Sequence, residues 1–446
     1  MPALAGSELE ATEKSMNPNK ISTLRGNFSR FIECHGGYAF SLAPGGNAVA
    51  TSRHPDLQAP AVFFFAHAKR KPRLALRSVC AGLCILLASC TDTKHLYVAT
   101  TGSDANAGTQ GEPFLTIAHA DSRARPGYTI HVAPGTYKVA APSKLSAGIL
   151  TSMNGTPTER IKFVSDVKWG AKIVFSGTGI AWHSKGAYVD IEGFDITGTG
   201  RIGILAEGGN EKITNNFVHD LQVSGGCNGG GGAGIDVWGP VGGAVIDANV
   251  VRNIGVQWLA ARSCNTVQGI YVANRNNRVS NNVISGVASV GINSWHGATD
   301  STIVNNTIFN SKMGIVIGHG DSGATAAGTS NNYVANNIVY RNGHGITEMG
   351  KVGRNNRYAD NLVHSNDIDW RVKGAVSGTI SADPLFVDYQ ANGAGDYRLQ
   401  RTSPASGKGA SAHLFLAAPS RSVDGSPTDR GMSEREESPG LAPDKN

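Results

Sequence analysis

Aromatic residues are scarce in this chain, at 7%, and charged residues reach only 17%, whereas 57 of the 446 positions are glycine. That balance suits many tight turns and small corners. No segment between the apolar phrases keeps a 3.6-residue period, which excludes the helical crossovers of βαβ units. There is no Cys-x-x-Cys pair and no His/Cys spacing of the kind that holds zinc. The formal net charge of +6 is not a footprint of nucleic-acid binding. Residues 1–90 carry ten Lys/Arg against five Asp/Glu, leaving 30 against 29 in the remainder, and no RNA- or DNA-binding motif is present. The apolar stretch from Leu74 to Leu87 is too short for a comfortable membrane span.

What the chain does have is a repeat. The phrases ITNNFV, IDANVV, VSNNVI, IVNNTI, VANNIV and YADNLV place Asn216, Asn249, Asn282, Asn306, Asn337 and Asn361 at spacings of 33, 33, 24, 31 and 24 residues. A Gly-Ile phrase keeps step at Ile204, Ile235, Ile270, Ile292, Ile315 and Ile346. Each phrase alternates apolar and polar residues at period two, with Gly, Asn and Asp between phrases, as short strands joined by turns require. Two or three such strands in about 24 residues make one coil of a parallel β-helix, and stacked coils bury what one coil cannot. The expected fold is all-β: a solenoid with an internal Asn ladder and a short N-terminal cap, over residues 91–410. A buried Asn offers both donor and acceptor, so it can bond the corner backbone and the Asn of the next coil. The competing account is that these residues mark exposed turns.

The register maps an outer face. If each Gly-Ile isoleucine points in, the next residue points out. That row reads Leu205, Asp236, Tyr271, Asn293, Val316, Thr347, and the row two residues on reads Glu207, Trp238, Ala273, Trp295, Gly318, Met349. His296 and His319 share the following position on neighbouring coils. The middle coils thus collect chemistry that the outer ones lack. Two close imidazoles disfavour each other's protonation, leaving a neutral base near pH 7. Tyr271 is a candidate acid or base and Asp236 completes the catalytic set. Asp300 and Asp321 follow the histidines and could orient them or bind a metal. Trp238 and Trp295 could stack on sugar faces, or be covered by loops as local clusters. Asn293 faces the same site, and Arg275 and Lys351 could meet substrate carboxylates. Glu348 falls in an inward register, which demands a buried partner or a slip.

Lys69, Arg70, Lys71 and Arg73, the apolar run after them, and the ending Leu87-Ala88-Ser89-Cys90 resemble a bacterial lipoprotein signal. The resemblance implies lipidation of Cys90, export, and a periplasmic, outer-membrane-anchored or cell-surface location. Residues 1–68 then read as a mis-assigned or disordered leader with no role in function, and 411–446 as a disordered tail. Cys227 and Cys264 fall at equivalent places on successive coils, between an Asn phrase and the next Gly-Ile strand. In an oxidising compartment they are expected to pair.

Residues 96–137, LYVATTGSDANAGTQGEPFLTIAHADSRARPGYTIHVAPGTY, resemble the cap and first coil of bacterial right-handed parallel β-helix proteins of the pectate-lyase-like superfamily, and 383–408 resemble their closing segment. This implies a monomeric, polysaccharide-active protein, with an acidic glycan as partner. Lyases, hydrolases, epimerases and esterases share the fold, so the fold alone cannot choose. Some members β-eliminate uronates with calcium and a Lys or Arg base. No run of crowded aspartates stands here, so calcium is left open. Gly318-His319-Gly320 is similar to a polygalacturonase phrase whose companion aspartate phrases are missing. The expected activity is β-elimination by His296 or His319 with Tyr271. The alternatives are a hydrolase using Asp236 with Glu207, and a glycan-binding surface protein.

Overall fold

The computed structural model describes residues 94–260, 263–320 and 328–409, with the backbone of three short strands, Glu33–Cys34, Tyr38–Leu42 and Ala48–Ser52. Those three strands pair antiparallel within a unit spanning Met1–Asp92. Cys90, the 69–90 segment, Asp321 and the 411–446 tail lie outside the described residues.

The unit Thr93–Asn446 is built on three parallel sheets of nine, eleven and nine strands, each strand hydrogen-bonded to its counterparts one coil before and after. The first sheet runs from Ala147–Thr151 to Ile368–Arg371 and contains every Gly-Ile strand. Within it Ile204, Ile235, Ile270, Ile292, Ile315 and Ile346 pair in register, and all are fully buried. Each such isoleucine is worth roughly 1.5–3 kcal/mol over an exposed one, and the benefit exists only because a neighbour lies on both sides. Near the N-terminal end the core widens to hold Phe163, Trp182 and Phe194 edge to face, with centroids 5.4 and 5.0 Å apart. The helix Ile117–Arg123 lies at this end and contributes Ile117 and Ala120 to the core. It is capped by Thr116, whose hydroxyl accepts from the His119 N–H.

The Asn ladder is internal. Asn216, Asn249, Asn282, Asn306, Asn337 and Asn361 have no exposed surface. Each backbone N–H and side-chain Nδ2 donates to Oδ1 of the next ladder residue at 2.9–3.1 Å. The Nδ2 groups also donate to carbonyls inside the corner, as Asn282 does to Ile246. The residue before each is left-handed: Asn215, Ala248, Asn281, Asn305, Asn336 and Asp360 have φ of 54–57°. Two further ladders, not foreseen, occupy the other corners. One runs Asn277, Ser301, Asn332, Asn356, and the other Ser311, Asn342, Asn366. Glu348 keeps the inward register opposite Ile317 and has its partner: the Tyr358 hydroxyl donates to Oε1 at 2.8 Å.

Candidate active site

The outward row falls where the register placed it. Leu205, Asp236, Tyr271, Asn293, Val316 and Thr347 pair successively across the first sheet. The row also extends backwards to His183, which the Gly-Ile phrase did not reach because its strand begins Ile180-Ala181. A second outward row lies beside it, where Ile202, Ala233, Gln268, Val290 and Met313 are neighbours. Two buried apolar clusters bound the polar stretch: Ile180, Ile202 and Leu205 on one side, Val290, Met313 and Val316 with Trp295 on the other. Between them stand Asp236, Gln268, Tyr271 and Asn293.

The rings gather on the strand ends. His296 is the hub, with Trp238 at 5.3 Å, Tyr271 at 5.8 Å and His319 at 6.3 Å between centroids, all edge to face. His296 takes a left-handed backbone conformation, φ 56°, which turns the chain just past the strand. Trp238 is 47% exposed and stands open to solvent. Trp295 does not. It packs over Gly318 and Gly320, where a Cβ would come within 2.6 Å of the indole at either position. The Gly-His-Gly phrase therefore has a local steric cause, the seating of Trp295.

Electrostatics single out Asp236. The residue keeps some surface, yet its Oδ1 is enclosed with no hydrogen-bond partner among the described residues. Burial pushes its carboxyl up to about 7, against the opposing pull of the Arg201 charge. Glu207, on the preceding coil, is held by His183, whose Nε2 lies 2.5 Å from Oε2. Burial lowers the His183 imidazole despite that carboxylate. Arg275 and Lys351 are exposed beyond the strand ends, at the rim. The Asp300 carboxylate accepts from Asn331 Nδ2 at 2.9 Å. Among the described residues no three His, Cys, Asp or Glu converge as metal ligands.

Cys227 and Cys264 are joined as a disulfide, with Cα atoms 4.7 Å apart. It ties the segments that lead into Gly232–Val237 and Val267–Val272, the strands carrying Asp236 and Tyr271. Lys312 Nζ donates to the Cys264 carbonyl and Asn265 Oδ1, both at 2.8 Å, and braces the same loop.

Residues 96–236 match a family model described as the Pel9A-like, right handed beta helix region. The fold is a right-handed parallel β-helix. Among solved structures, pectate lyase Pel9A superposes with a TM-score of 0.50 at 16% identity, covering 77% of this chain and 96% of that one. A rhamnogalacturonan lyase gives 0.48 at 15% identity, covering 69% and 96%. An alginate lyase from Paenibacillus sp. str. FPU-7 gives 0.40 at 18%, covering 59% and 92%. An uncharacterized protein of Bacillus subtilis (strain 168), YwoF, is 49% identical over 43 residues, which are 10% of this chain and 9% of that one.

Proposed function

We propose that this chain acts on polysaccharide and cleaves a uronate-containing glycan by β-elimination. The observation that carries the reading is the ring cluster of Tyr271, His296, His319 and exposed Trp238 beside Asp236 on one outer wall. Trp238 offers a stacking surface for a sugar. His296 or His319 takes the C5 proton, α to the uronate carboxylate. The C4–O bond breaks as the C4=C5 bond forms, and the Tyr271 hydroxyl gives its proton to the departing oxygen. The base returns its proton through solvent and Tyr271 is reprotonated, so the protein ends unchanged. Arg275 and Lys351 at the rim supply positive charge for substrate carboxylates. The family whose region matches here takes its name from a pectate lyase, which agrees with this chemistry.

A second reading is favoured by one observation. Asp236 is held up to about 7, as a general acid needs, while Glu207 on the adjacent coil is paired with His183. A glycoside hydrolase would use those two carboxylates. Incubating the protein with acidic and neutral polysaccharides separates the readings. Ultraviolet absorbance of an unsaturated product supports the lyase. New reducing ends without it support the hydrolase, and retained binding with neither supports a glycan-binding surface protein.

We further propose export with a lipid anchor on Cys90, and a monomeric protein. Cys90→Ser should release the protein from the membrane fraction, and an unchanged membrane fraction would refute the anchor.

A further inference from the structure

The outward row holds three enclosed polar atoms that nothing among the described residues satisfies: Thr347 Oγ1, two strands beyond the polar stretch, and within the stretch Asp236 Oδ1 and Asn293 Oδ1. The latter two lie one strand to either side of Tyr271, at paired positions. Asn293 is only 7% exposed, so solvent does not substitute for a partner. Buried acceptors without donors are costly, and native proteins seldom keep them without a use. Gln268, the remaining amide of the stretch, is already engaged. Turned to satisfy its amide, it donates to the carbonyls of Thr266 and Gly232 at 3.1 and 2.9 Å.

Both open atoms of the stretch are oxygens that accept, so the missing partner is one that brings donors. Adjacent strands are about 4.8 Å apart, which sets Asp236 and Asn293 roughly 9–10 Å apart along the stack. That span is longer than one sugar ring and runs across the strands. We propose that Asp236 and Asn293 accept hydrogen bonds from hydroxyl groups of two sugar units of a glycan that lies along the helix axis, with Tyr271 at the junction between them. The proposal rests on the reading of this wall as a glycan site and adds the direction of the chain and the face it presents. Uronate carboxylates would then point away from Asp236, towards the rim.

The alternative is that Asp236, protonated, donates to a substrate carboxylate. The two predict opposite pH dependence. Asp236 is flanked on the sheet by Leu205 on the preceding coil and Tyr271 on the next; Glu207 and Trp238 follow on their strands' ends, and Gln268 and His296 belong to the next two coils. Arg201 is the charge that acts on it. A hydroxyl donor favours the ionised carboxylate, so affinity should rise as pH passes upward through about 7. A carboxylate ligand needs the protonated form, so affinity should fall over the same interval.

The test measures equilibrium binding of the full chain to polygalacturonate, alginate and xylan at about pH 6 and about pH 8, on ice, with cleavage monitored in parallel. Wild type should bind about tenfold tighter at the higher pH. Asp236→Asn should bind more weakly at the higher pH and lose the slope, because its amide oxygen accepts without charge. Asn293→Ala should bind more weakly at both pH values and keep the slope. Thermal melting of each variant checks that it is folded. An affinity that falls with pH, or an Asp236→Asn protein that retains the slope, overturns the inference while the glycan site stands. Absence of binding by wild type to every probe overturns both.

Discussion

Asn282 shows what a single ladder residue carries. Its Nδ2 donates to the Ile246 carbonyl and to Asn306 Oδ1, while its own Oδ1 accepts from both the N–H and Nδ2 of Asn249. Asn282→Leu fills similar volume but leaves several buried groups unpaired at about 1–3 kcal/mol each. A fall in stability of more than about 3 kcal/mol in denaturant unfolding is expected, and a loss below 1 kcal/mol would contradict the ladder's role. The ladder was legible because one residue type recurs at a nearly constant offset from buried Ile and Val. The two other corner ladders were not, because a Ser replaces one Asn in each: Ser301 follows Asn277, and Ser311 precedes Asn342. His183 was hidden for a similar reason, since Ala181-Trp182 stand at the Gly-Ile position of its strand. For the site itself, Tyr271→Phe and the correct histidine→Ala change should each lower kcat by about 10²–10⁴-fold. Rates unchanged in both His296→Ala and His319→Ala would remove the histidines from the mechanism.

Individual sheets carry distinct polar devices. On the outer face of the third sheet, His219 sits stacked on Phe217 at 3.9 Å between Asp195 and Asp220, with ring nitrogens 2.8 and 2.6 Å from their carboxylates. Burial lowers the imidazole, but hydrogen bonds to the two carboxylates outweigh it and raise it overall. The His219 hydrogen bond in turn holds Asp220 down to about 2. A raised histidine stabilises the fold fully below its unfolded value near 6.5, and that contribution disappears as pH rises through the folded value. Wild type should therefore lose stability relative to His219→Gln as pH rises above about 6.5. Parallel stability curves would show that the carboxylates do not hold the charge. Nothing in the period-two pattern marks this cluster, because its partners come from different coils. The disulfide, in contrast, was legible from equivalent loop positions. It closes a separation of 37 residues, which by chain entropy contributes about 3–4 kcal/mol. Cys227→Ser with Cys264→Ser should lower the melting temperature by several degrees and loosen the approach to Tyr271, seen as faster proteolysis of the 224–266 region.

At the scale of the whole molecule, one end of the stack is capped and one side is covered by the C-terminal segment. The helix Ile117–Arg123 covers one end of the core. Phe386, Tyr397 and Ala405 fold back over Val283, Phe309, Ile338, Tyr340 and Leu362 on the third sheet. The resemblance at 383–408 marked this closing segment, although alternation alone gave no sign of where it docks. Among the described residues no helix is long and apolar enough to cross a membrane. The left-handed residue before every ladder Asn makes all corners of that edge interchangeable. A coil can then be excised like a link from a chain. Deleting residues 283–306 would join Asn282 to Thr307 and stack it on Asn337, one 24-residue interval removed without change of phase. The shortened protein should fold, with a circular dichroism spectrum of the same shape. Its wall would have changed, because Tyr271 would stand beside Val316, with Asn293 and His296 gone. Activity in such a molecule would place the site elsewhere. Its loss, with the fold intact, would mean that the chemistry of the wall can be changed by splicing whole coils while the ladder that holds the stack keeps its phase.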